Sequence, residues 1–407
     1  MELMHERCAG LDVHKNVVVA CARVAPSKRP EKHVERFGTT TAELLRLSEW
    51  LTSFGVEHVV MESTGVYWKP VWHVLEGDFQ LVLANAQHVK AVPGRKSDVN
   101  DATWLAELLA HGLVRSSYVP PPEIREVRDL TRTRKQKSRA RSQETLRVQK
   151  VLEDANIKLA SFVSDILGKA SRAMLEALIS GESDPTKLAE LRGKLKAEPG
   201  ELEQALRGRV TDHHRFLLRL HLDQIKAIDG AIERIDGRLE QLLEPFREQV
   251  ERLTTIPGVS TTVARVIVGE LGLDMSRFKS ADHAVSWAGL CPKLDESAGK
   301  HRSTRLRQGD PWLKTALAQA ALAATRVKDS HLRARFYAIK GRRGVAKAVM
   351  AVAASLLRSV VAVLASKTPY RELGAAHLDR VDSQKKADRL ARRIQALGFS
   401  VVLKPAA

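Results

Sequence analysis

Residues 8–24 read CAGLDVHKNVVVACARV, and the fold of the N-terminal part of the chain follows from this stretch. Two short runs rich in apolar and β-branched residues, Cys8–Val13 and Val17–Val24, flank the polar link His14-Lys15-Asn16. Runs of this length with a short polar link between them predict two strands joined as a hairpin. Asp12 therefore lies at the end of a predicted strand.

Strands and helices alternate after this hairpin. The sequence predicts strands at Glu31–Phe37, Val56–Met61 and Gln80–Ala84. It predicts helices at Thr41–Leu51, Tyr67–Leu75 and Asp98–His111. A hairpin followed by such alternation predicts an α/β domain with a mixed sheet over residues 1–120, in the element order expected of a ribonuclease-H-like fold.

The three prolines Pro120-Pro121-Pro122 end this alternation and predict a domain boundary. Beyond them we expect a basic, helical coiled-coil region at 121–252, a mainly helical domain at 253–372 and a tail at 373–407. Seven apolar residues repeat at alternating spacings of three and four: Ile225, Ile228, Ile232, Ile235, Leu239, Leu242 and Phe246. This heptad seam predicts burial against another helix, either of the same chain or of a second protomer. We favour a coiled coil that helps to build a homodimer or tetramer.

The chain is strongly basic. Its 407 residues include 66 Lys and Arg against 48 Asp and Glu, a formal net charge of +18, which favours a polyanionic partner such as nucleic acid. Six cations crowd one predicted helix: Arg132, Arg134, Lys135, Lys137, Arg139 and Arg141. We predict that they contact nucleic acid; the alternative is a solvated helix face.

Cysteine usage and hydropathy indicate the compartment. The three cysteines form no CxxC pair, so the sequence predicts neither a disulfide framework nor a zinc site. The N-terminus lacks an apolar signal region, and the apolar run Val349–Leu364 is interrupted by Arg358, which favours a buried helix. We expect a cytoplasmic, bacterial protein that acts at the nucleoid and has no membrane partner.

Four carboxylates stand at the ends of predicted elements. Glu62 follows the apolar run Val59-Val60-Met61, while Asp98 and Asp101 lie three apart at a helix start and so share one face. Taken singly, each acid has a structural interpretation, such as a cap or a partner of the helix dipole. Together with Asp12 they favour a metal site, and an all-oxygen ligand set suits two Mg²⁺ ions that act on a phosphodiester.

Two segments of the C-terminal half indicate phosphate chemistry. Thr255–Ala264 resembles the hairpin of a helix-hairpin-helix motif, in which amides near Gly258 would face a phosphate, although Ser260 replaces the usual second glycine. The alternative is a plain connection between helices. The sequence predicts that Ser297 lies in a loop of small residues beside four cations, Lys300, Arg302, Arg305 and Arg307. Cations can stabilise a transferring phosphate, but a serine before Ala-Gly is also typical of a turn.

Several motifs resemble those of the DEDD transposases of the insertion sequence one-ten family, which are relatives of the Piv DNA invertase. They are GLDVHK at 10–15, MESTGVYW at 61–68, KSDVNDA at 96–102, and GLCP at 289–292 followed by ESAGK at 296–300. The resemblance covers residues 8 to about 111 and 253 to about 372.

This resemblance implies a function for the residues above. It implies an N-terminal domain like that of the Holliday-junction resolvase RuvC, with Asp12, Glu62, Asp98 and Asp101 as the acidic motif, and it makes Ser297 the nucleophile. It further implies a structured bridge RNA that pairs with target and donor DNA, and a site whose serine and acids come from different protomers. We therefore expect a transposase; the alternatives are a structure-selective, metal-dependent nuclease without a serine intermediate, and a non-catalytic nucleic-acid scaffold.

Overall fold

The computed structural model describes residues 3–25, 30–63, 65–85, 98–293, 295–297, 300–303, 305–377 and 383–402. The chain forms two compact units, Met1–Pro120 and Pro121–Ala407.

The first unit is built on a five-stranded sheet. Its strands are β1 (Arg7–Val13), β2 (Val17–Val24), β3 (Glu31–Gly38), β4 (His58–Glu62) and β5 (Gln80–Ala84). They lie in the order β3-β2-β1-β4-β5. Strand β2 is antiparallel to β1 and β3, whereas β4 runs parallel to β1 and β5. The predicted hairpin and mixed sheet are confirmed.

Helices cover both faces of this sheet: α1 (Thr41–Ser53), α2 (Trp68–Leu75) and α3 (Asp98–Ala110). Because strand side chains alternate between faces, Leu11 and Met61 join the core with α1 and α2. Cys8 and Val60 point the other way and pack with Leu105 of α3.

Strand β4 begins two residues later than the sequence predicts. Gly55 takes a φ of +64°, in the left-handed region that favours glycine. The amide of Val56 donates to the carbonyl of Leu51 at 3.2 Å and so closes the end of α1. Val56 therefore belongs to the helix terminus, and the strand starts only at His58.

The second unit is mostly helical. Its helices are α4 (Pro122–Asp154), α5 (Leu159–Phe162), α6 (Lys169–Ile179), α7 (Pro185–Glu190), α8 (Pro199–Leu206), α9 (Asp212–Leu243), α10 (Arg247–Thr254), α11 (Thr261–Leu271), α12 (Ala281–Trp287), α13 (Pro311–Ala324), α14 (His331–Arg343), α15 (Val345–Ser366) and α16 (Ser383–Gln395). A short hairpin, β6 (Asp295–Ser297) and β7 (Lys300–Ser303), lies between α12 and α13. The prediction of a helical remainder is confirmed.

Helices α4 and α9 form a long antiparallel pair. Arg134 and Arg141 of α4 bind Asp236 and Asp229 of α9 through two hydrogen bonds each, so the contacts repeat every seven residues on both helices. This pairing joins two separate cores of the unit.

The heptad seam lies along this pair. Ile225 is buried in the core at one end of the pair, and Leu239 in the core at the other end. The same chain thus supplies a partner for both ends of the seam, the first of the two predicted arrangements. A coiled coil between protomers stays a prediction.

One helix in the described part of the chain, α15, is long and apolar enough to cross a membrane by length and composition. Most of it is buried inside the protein, where Val352, Leu356 and Val360 pack in the larger core of the second unit. This placement agrees with the buried helix predicted from the sequence.

Candidate functional site

Two of the four candidate acids lie side by side at one edge of the first sheet. Parallel pairing of β1 and β4 sets Leu11 beside Met61, so Asp12 and Glu62 follow at adjacent strand ends. Successive side chains of a strand point to opposite faces of the sheet. Leu11 and Met61 face α1 and α2, so the next residues, Asp12 and Glu62, face the other way. Both carboxylates therefore belong to the opposite face, which α3 covers.

Gly10 allows the start of α3 to lie near Asp12 and Glu62. A Cβ built on Gly10 would lie 2.2 Å from the carbonyl oxygen of Ala102 and 2.5 Å from the amide nitrogen of Ala106. A side chain there would force α3 away from the strand, because real Cβ atoms do not approach the backbone so closely. Gly10 shares its face with Asp12, and α3 passes directly over it. The chain thus places the N-terminal turn of α3 near the carboxyl end of β1.

The third and fourth acids lie on that turn. Asp101 is partly buried and immediately precedes Ala102. Asp98 is the first residue of α3, but its side chain lies outside the described residues. Among the described residues, Asp12, Glu62 and Asp101 are therefore the acids that strand pairing and helix packing bring to one edge.

The donor chemistry of this edge fits a hard divalent cation. Carboxylate oxygens are the ligands that Mg²⁺ prefers, with positions left open for phosphate. Oδ2 of Asp12 lies 3.0 Å from Nε2 of His14, a contact that orients this carboxylate. Within the described ranges, no three His, Cys, Asp or Glu side chains converge closely enough to hold a metal ion. A complete ligand set there would include Asp98.

A partly buried ion pair fixes α3 against the sheet. Glu107 of α3 accepts from Arg23 of β2 at 3.1 Å and pairs with Lys32 of β3 at 2.7 Å. Burial alone would raise the pKa of Glu107, but Lys32 and Arg23 hold it below its ordinary value. Arg23 is only 4% exposed, so removing its partner would leave a buried charge. Sequence analysis missed this contact because the partners are far apart in the chain.

Ser297 lies near the tip of a β-hairpin. The chain crosses itself closely at the hairpin base, where a Cβ on Gly309 would lie 2.4 Å from the carbonyl carbon of Ala288. The amide of Lys293 donates to the carbonyl of Arg305 at 2.8 Å, and Ser297 pairs with Lys300. The side chain of Ser297 lies outside the described residues. The sequence predicted a loop, and the backbone shows instead that Ser297 ends strand β6.

The cations predicted around Ser297 are only partly described. Lys300 and Arg302 lie on β7, and their side chains are outside the described part. Arg305 and Arg307 are exposed, and Nη1 of Arg307 donates to Oγ of Ser286 at 3.4 Å. Their contact with nucleic acid stays a prediction.

Gly258 has a packing role in the second unit. Its φ is +86°, and a Cβ there would lie 2.3 Å from the carbonyl oxygen of Ala320 in α13. Ser260 caps α11 by accepting from the amide of Val263 at 3.4 Å. The tight turn between two helices is present as predicted. The space that a side chain at Gly258 would need is occupied by helix α13. Phosphate binding by this turn stays a prediction.

The basic stretch of α4 divides into two groups. Arg132, Arg134 and Arg141 form bidentate pairs with Glu270, Asp236 and Asp229 of the same unit. These three arginines hold the helices together, a role that the sequence interpretation did not assign to them. Lys137 and Arg139 are exposed, and Nζ of Lys135 lies 3.5 Å from Oε1 of Gln319. Contact of these three cations with nucleic acid stays a proposal.

Comparison with known proteins gives the class of the chain. A family model described as a transposase, the DEDD type of IS110, matches residues 9–157. A second model, described as the transposase IS116/IS110/IS902 family, matches residues 250–337. Together they cover more than half of the chain, in the order that the sequence motifs predict. The chain belongs to the IS110 family of transposases, which are enzymes that cut and rejoin DNA.

Two further comparisons concern a solved structure and the curated proteins. T. thermophilus RuvC in complex with a Holliday junction substrate matches 28% of this chain and 100% of its own, at 16% identity and a TM-score of 0.22. No curated protein matches the chain.

Proposed function

We propose that this transposase cuts and rejoins DNA strands with Mg²⁺ bound by Asp12, Glu62, Asp98 and Asp101, and with Ser297 as its nucleophile. One observation carries the metal site: Asp12 and Glu62 end adjacent parallel strands on the face where Gly10 admits the start of α3. Carboxylates at the ends of apolar strands are stabilised when they bind a cation. Divalent ions held there would stabilise charge on the attacking and leaving oxygens of a phosphodiester.

The serine defines the course of the reaction. Oγ of Ser297 attacks the scissile phosphorus and loses its proton to solvent, while the bond from phosphorus to the departing DNA strand breaks. That strand leaves with a free hydroxyl, and the other end stays attached to the protein as a phosphoserine ester. A hydroxyl of the new partner strand then attacks the ester, which joins the DNA and regenerates Ser297. No phosphodiester is lost to water in this exchange.

The β-hairpin suits such a nucleophile. Its base is closed by the contact of Gly309 with Ala288 and by backbone hydrogen bonds, so strand β6, which ends at Ser297, starts from a fixed base. A nucleophile on a short, tethered hairpin can reach a strand bound elsewhere in an assembly. This supports the proposal that the serine and the acids of one site come from different protomers of a homodimer or tetramer.

A structured guide RNA is the further partner that we propose, together with donor and target DNA. The net charge of +18 supports a large polyanionic partner. The family resemblance of the motifs at 10–15, 61–68 and 96–102 supports RNA guidance in particular. Exposed cations of α4, Lys137 and Arg139, are available for phosphate contact.

A strand-exchange assay tests this function. Purified protein with its copurifying RNA is incubated with Mg²⁺, labelled donor DNA and target DNA, and joined product is measured. We expect Asp12→Asn and Glu62→Gln to abolish joining while binding of the same DNA persists, since these acids act on the reaction. Joining by both variants at the wild-type rate would refute the metal site. Cleavage to free ends without joined product would identify the nuclease instead.

A further inference from the structure

The second unit contains a cavity that the reaction above does not use. It has a volume of about 170 Å³ and lies among helices α4, α9, α11 and α13. One ordered water needs about 10–15 Å³ of such a cavity, which leaves room for a ligand of roughly ten heavy atoms. A single nucleobase has this size, whereas a base pair does not fit.

Both apolar side chains and a buried acid line the cavity. Trp312, Leu239 and Val266 line the walls. Glu270 also lines the cavity and is fully buried, with both carboxylate oxygens 2.7 Å from the guanidinium of Arg132. Nε of Arg128 lies 3.4 Å from the same carboxyl group and Asp310 contacts it as well, so Glu270 is held within the protein and fixes Arg132 at the cavity wall.

Positive charge stands at the outer part of the cavity. Arg139 is exposed and its guanidinium carbon lies 5.6 Å from the Trp312 ring centroid, while Lys135 is half-buried and contacts Gln319. Arg132, Arg134 and Arg265 all pair with carboxylates. Over the described ranges no carboxylate lies within ion-pair distance of Lys135 or Arg139. These two cations are therefore the ones available to an anionic ligand.

We propose that this cavity takes one unstacked nucleobase, while the adjoining phosphate binds Lys135 and Arg139. The proposal rests on the proposed function only in that the partner is a nucleic acid. The order of groups matches a nucleotide, because the apolar side chains of the wall suit a base, and Lys135 and Arg139 suit its phosphate. Trp312 provides an aromatic ring at the cavity wall, with the guanidinium carbons of Arg132 and Arg139 each 5.6 Å from its centroid. Base stacking on such a ring strengthens binding roughly 5- to 150-fold.

The rival occupant is a backbone phosphate alone, held by the outer cations without entry of a base. If only a phosphate binds, affinity does not depend on the presence of the base. If a base enters the cavity, affinity falls when the base is removed. A duplex with one bulged nucleotide, compared with the same duplex carrying an abasic bulge, separates the two cases. Both duplexes are made once as DNA and once as RNA, and the pair that shows the difference identifies the source of the base.

Affinity is measured by fluorescence anisotropy in EDTA, so that no cleavage occurs and failure of the catalytic proposal leaves the result unaffected. We expect wild type to bind the base-bearing bulge at least roughly fivefold more tightly than the abasic bulge. Trp312→Ala should lose this preference and Trp312→Phe should keep part of it. Lys135→Gln with Arg139→Gln should weaken binding of both bulges alike.

The matched control is Tyr337→Ala. Tyr337 is an exposed aromatic residue of the second unit, with Arg333 and Lys340 each 5.6 Å from its ring centroid. It should leave the preference for a base unchanged. Equal affinity of the wild type for base-bearing and abasic bulges, in both DNA and RNA, would overturn the proposal. A preference that survives Trp312→Ala unchanged would also overturn it.

Discussion

The missing side chain of Gly10 lets the carbonyl of Ala102 approach strand β1: a Cβ at position 10 would lie 2.2 Å from that oxygen. The contact is between backbone and backbone, so no rotation of a flexible side chain can relieve a substitution. It fixes how closely α3, which carries Asp98 and Asp101, lies to Asp12. The geometry of the acidic site thus depends on a residue that has no functional group.

Gly10→Ala should therefore impair the reaction beyond its effect on folding. The added methyl must push α3 away from β1, and a displacement of about 1 Å at a catalytic group lowers rates by roughly a hundredfold. Strand joining and Mg²⁺ dependence of the rate are the measurements, together with the melting temperature. Gly77→Ala is the matched control, because a Cβ at Gly77 has nothing within 4 Å. Joining by folded Gly10→Ala at the wild-type rate would show that α3 does not position the acids.

The stability of the second unit should depend on pH through Glu270. Burial raises the pKa of this carboxyl to about 7; Arg132 opposes the shift and Asp310 adds to it. Between pH 4.5 and about 7 the folded protein holds a proton here that the unfolded chain releases. The contribution of Glu270 to the free energy of unfolding is thus fully present below pH 4.5 and is lost as the pH rises through about 7.

Urea denaturation of wild type and Glu270→Gln from pH 5 to 8 measures this effect. The glutamine does not titrate, so wild type should lose stability relative to the variant as the pH rises across that range. Arg128 and Arg132 of α4 and Asp310 before α13 surround the carboxyl in both proteins. A difference that stays constant with pH, or that changes in the other direction, would show that Glu270 is ionised throughout.

Arg139 and Arg141 should separate nucleic-acid binding from helix packing. They lie two residues apart on α4, but Arg139 is exposed whereas Arg141 forms two hydrogen bonds with Asp229. Removing one phosphate contact lowers the salt slope of binding by about one. We expect Arg139→Gln to weaken DNA or RNA binding in this way, with a smaller change in stability than Arg141→Gln, since the exposed Arg139 guanidinium lies over the Trp312 ring rather than in an ion pair.

Arg141→Gln should show the opposite pattern. Loss of its partly exposed pair with Asp229 should lower the free energy of unfolding by up to about 1 kcal/mol, with little change in the salt slope. Binding titrations at several salt concentrations and urea denaturation give both quantities. Equal salt slopes for the two variants would mean that ion pairing within the chain does not decide which arginines contact nucleic acid.

Local patterns were sufficient to predict the first unit. Apolar runs of strand length and the short link at His14-Lys15-Asn16 predicted the hairpin, and the sheet has the mixed pairing that the element order requires. Element ends were less certain because they depend on hydrogen bonds, such as the one that ties Val56 to α1. The heptad seam predicted a helix partner but not which one, since the spacing is the same for either partner.

Contacts between distant residues could not be predicted in this way. Arg132 and Glu270 are 138 positions apart, and only the fold shows that Arg132 is bound within the chain. A single acid in the apolar run of α11 was the available signal, because a buried carboxylate needs a partner. Trp312 likewise gave no indication of a cavity until α4 was placed beside α13.

The most direct test of the central claim is covalent trapping. Protein with its copurifying RNA, Mg²⁺ and labelled donor-junction DNA is denatured during the reaction, and label that stays with the protein is measured. Ser303→Ala, on the partner strand of the same hairpin, is the control for Ser297→Ala. We expect an adduct in wild type and in Ser303→Ala that is absent in Ser297→Ala and in EDTA. Metal-dependent cleavage without an adduct, unchanged in Ser297→Ala, would contradict the serine mechanism and favour a nuclease.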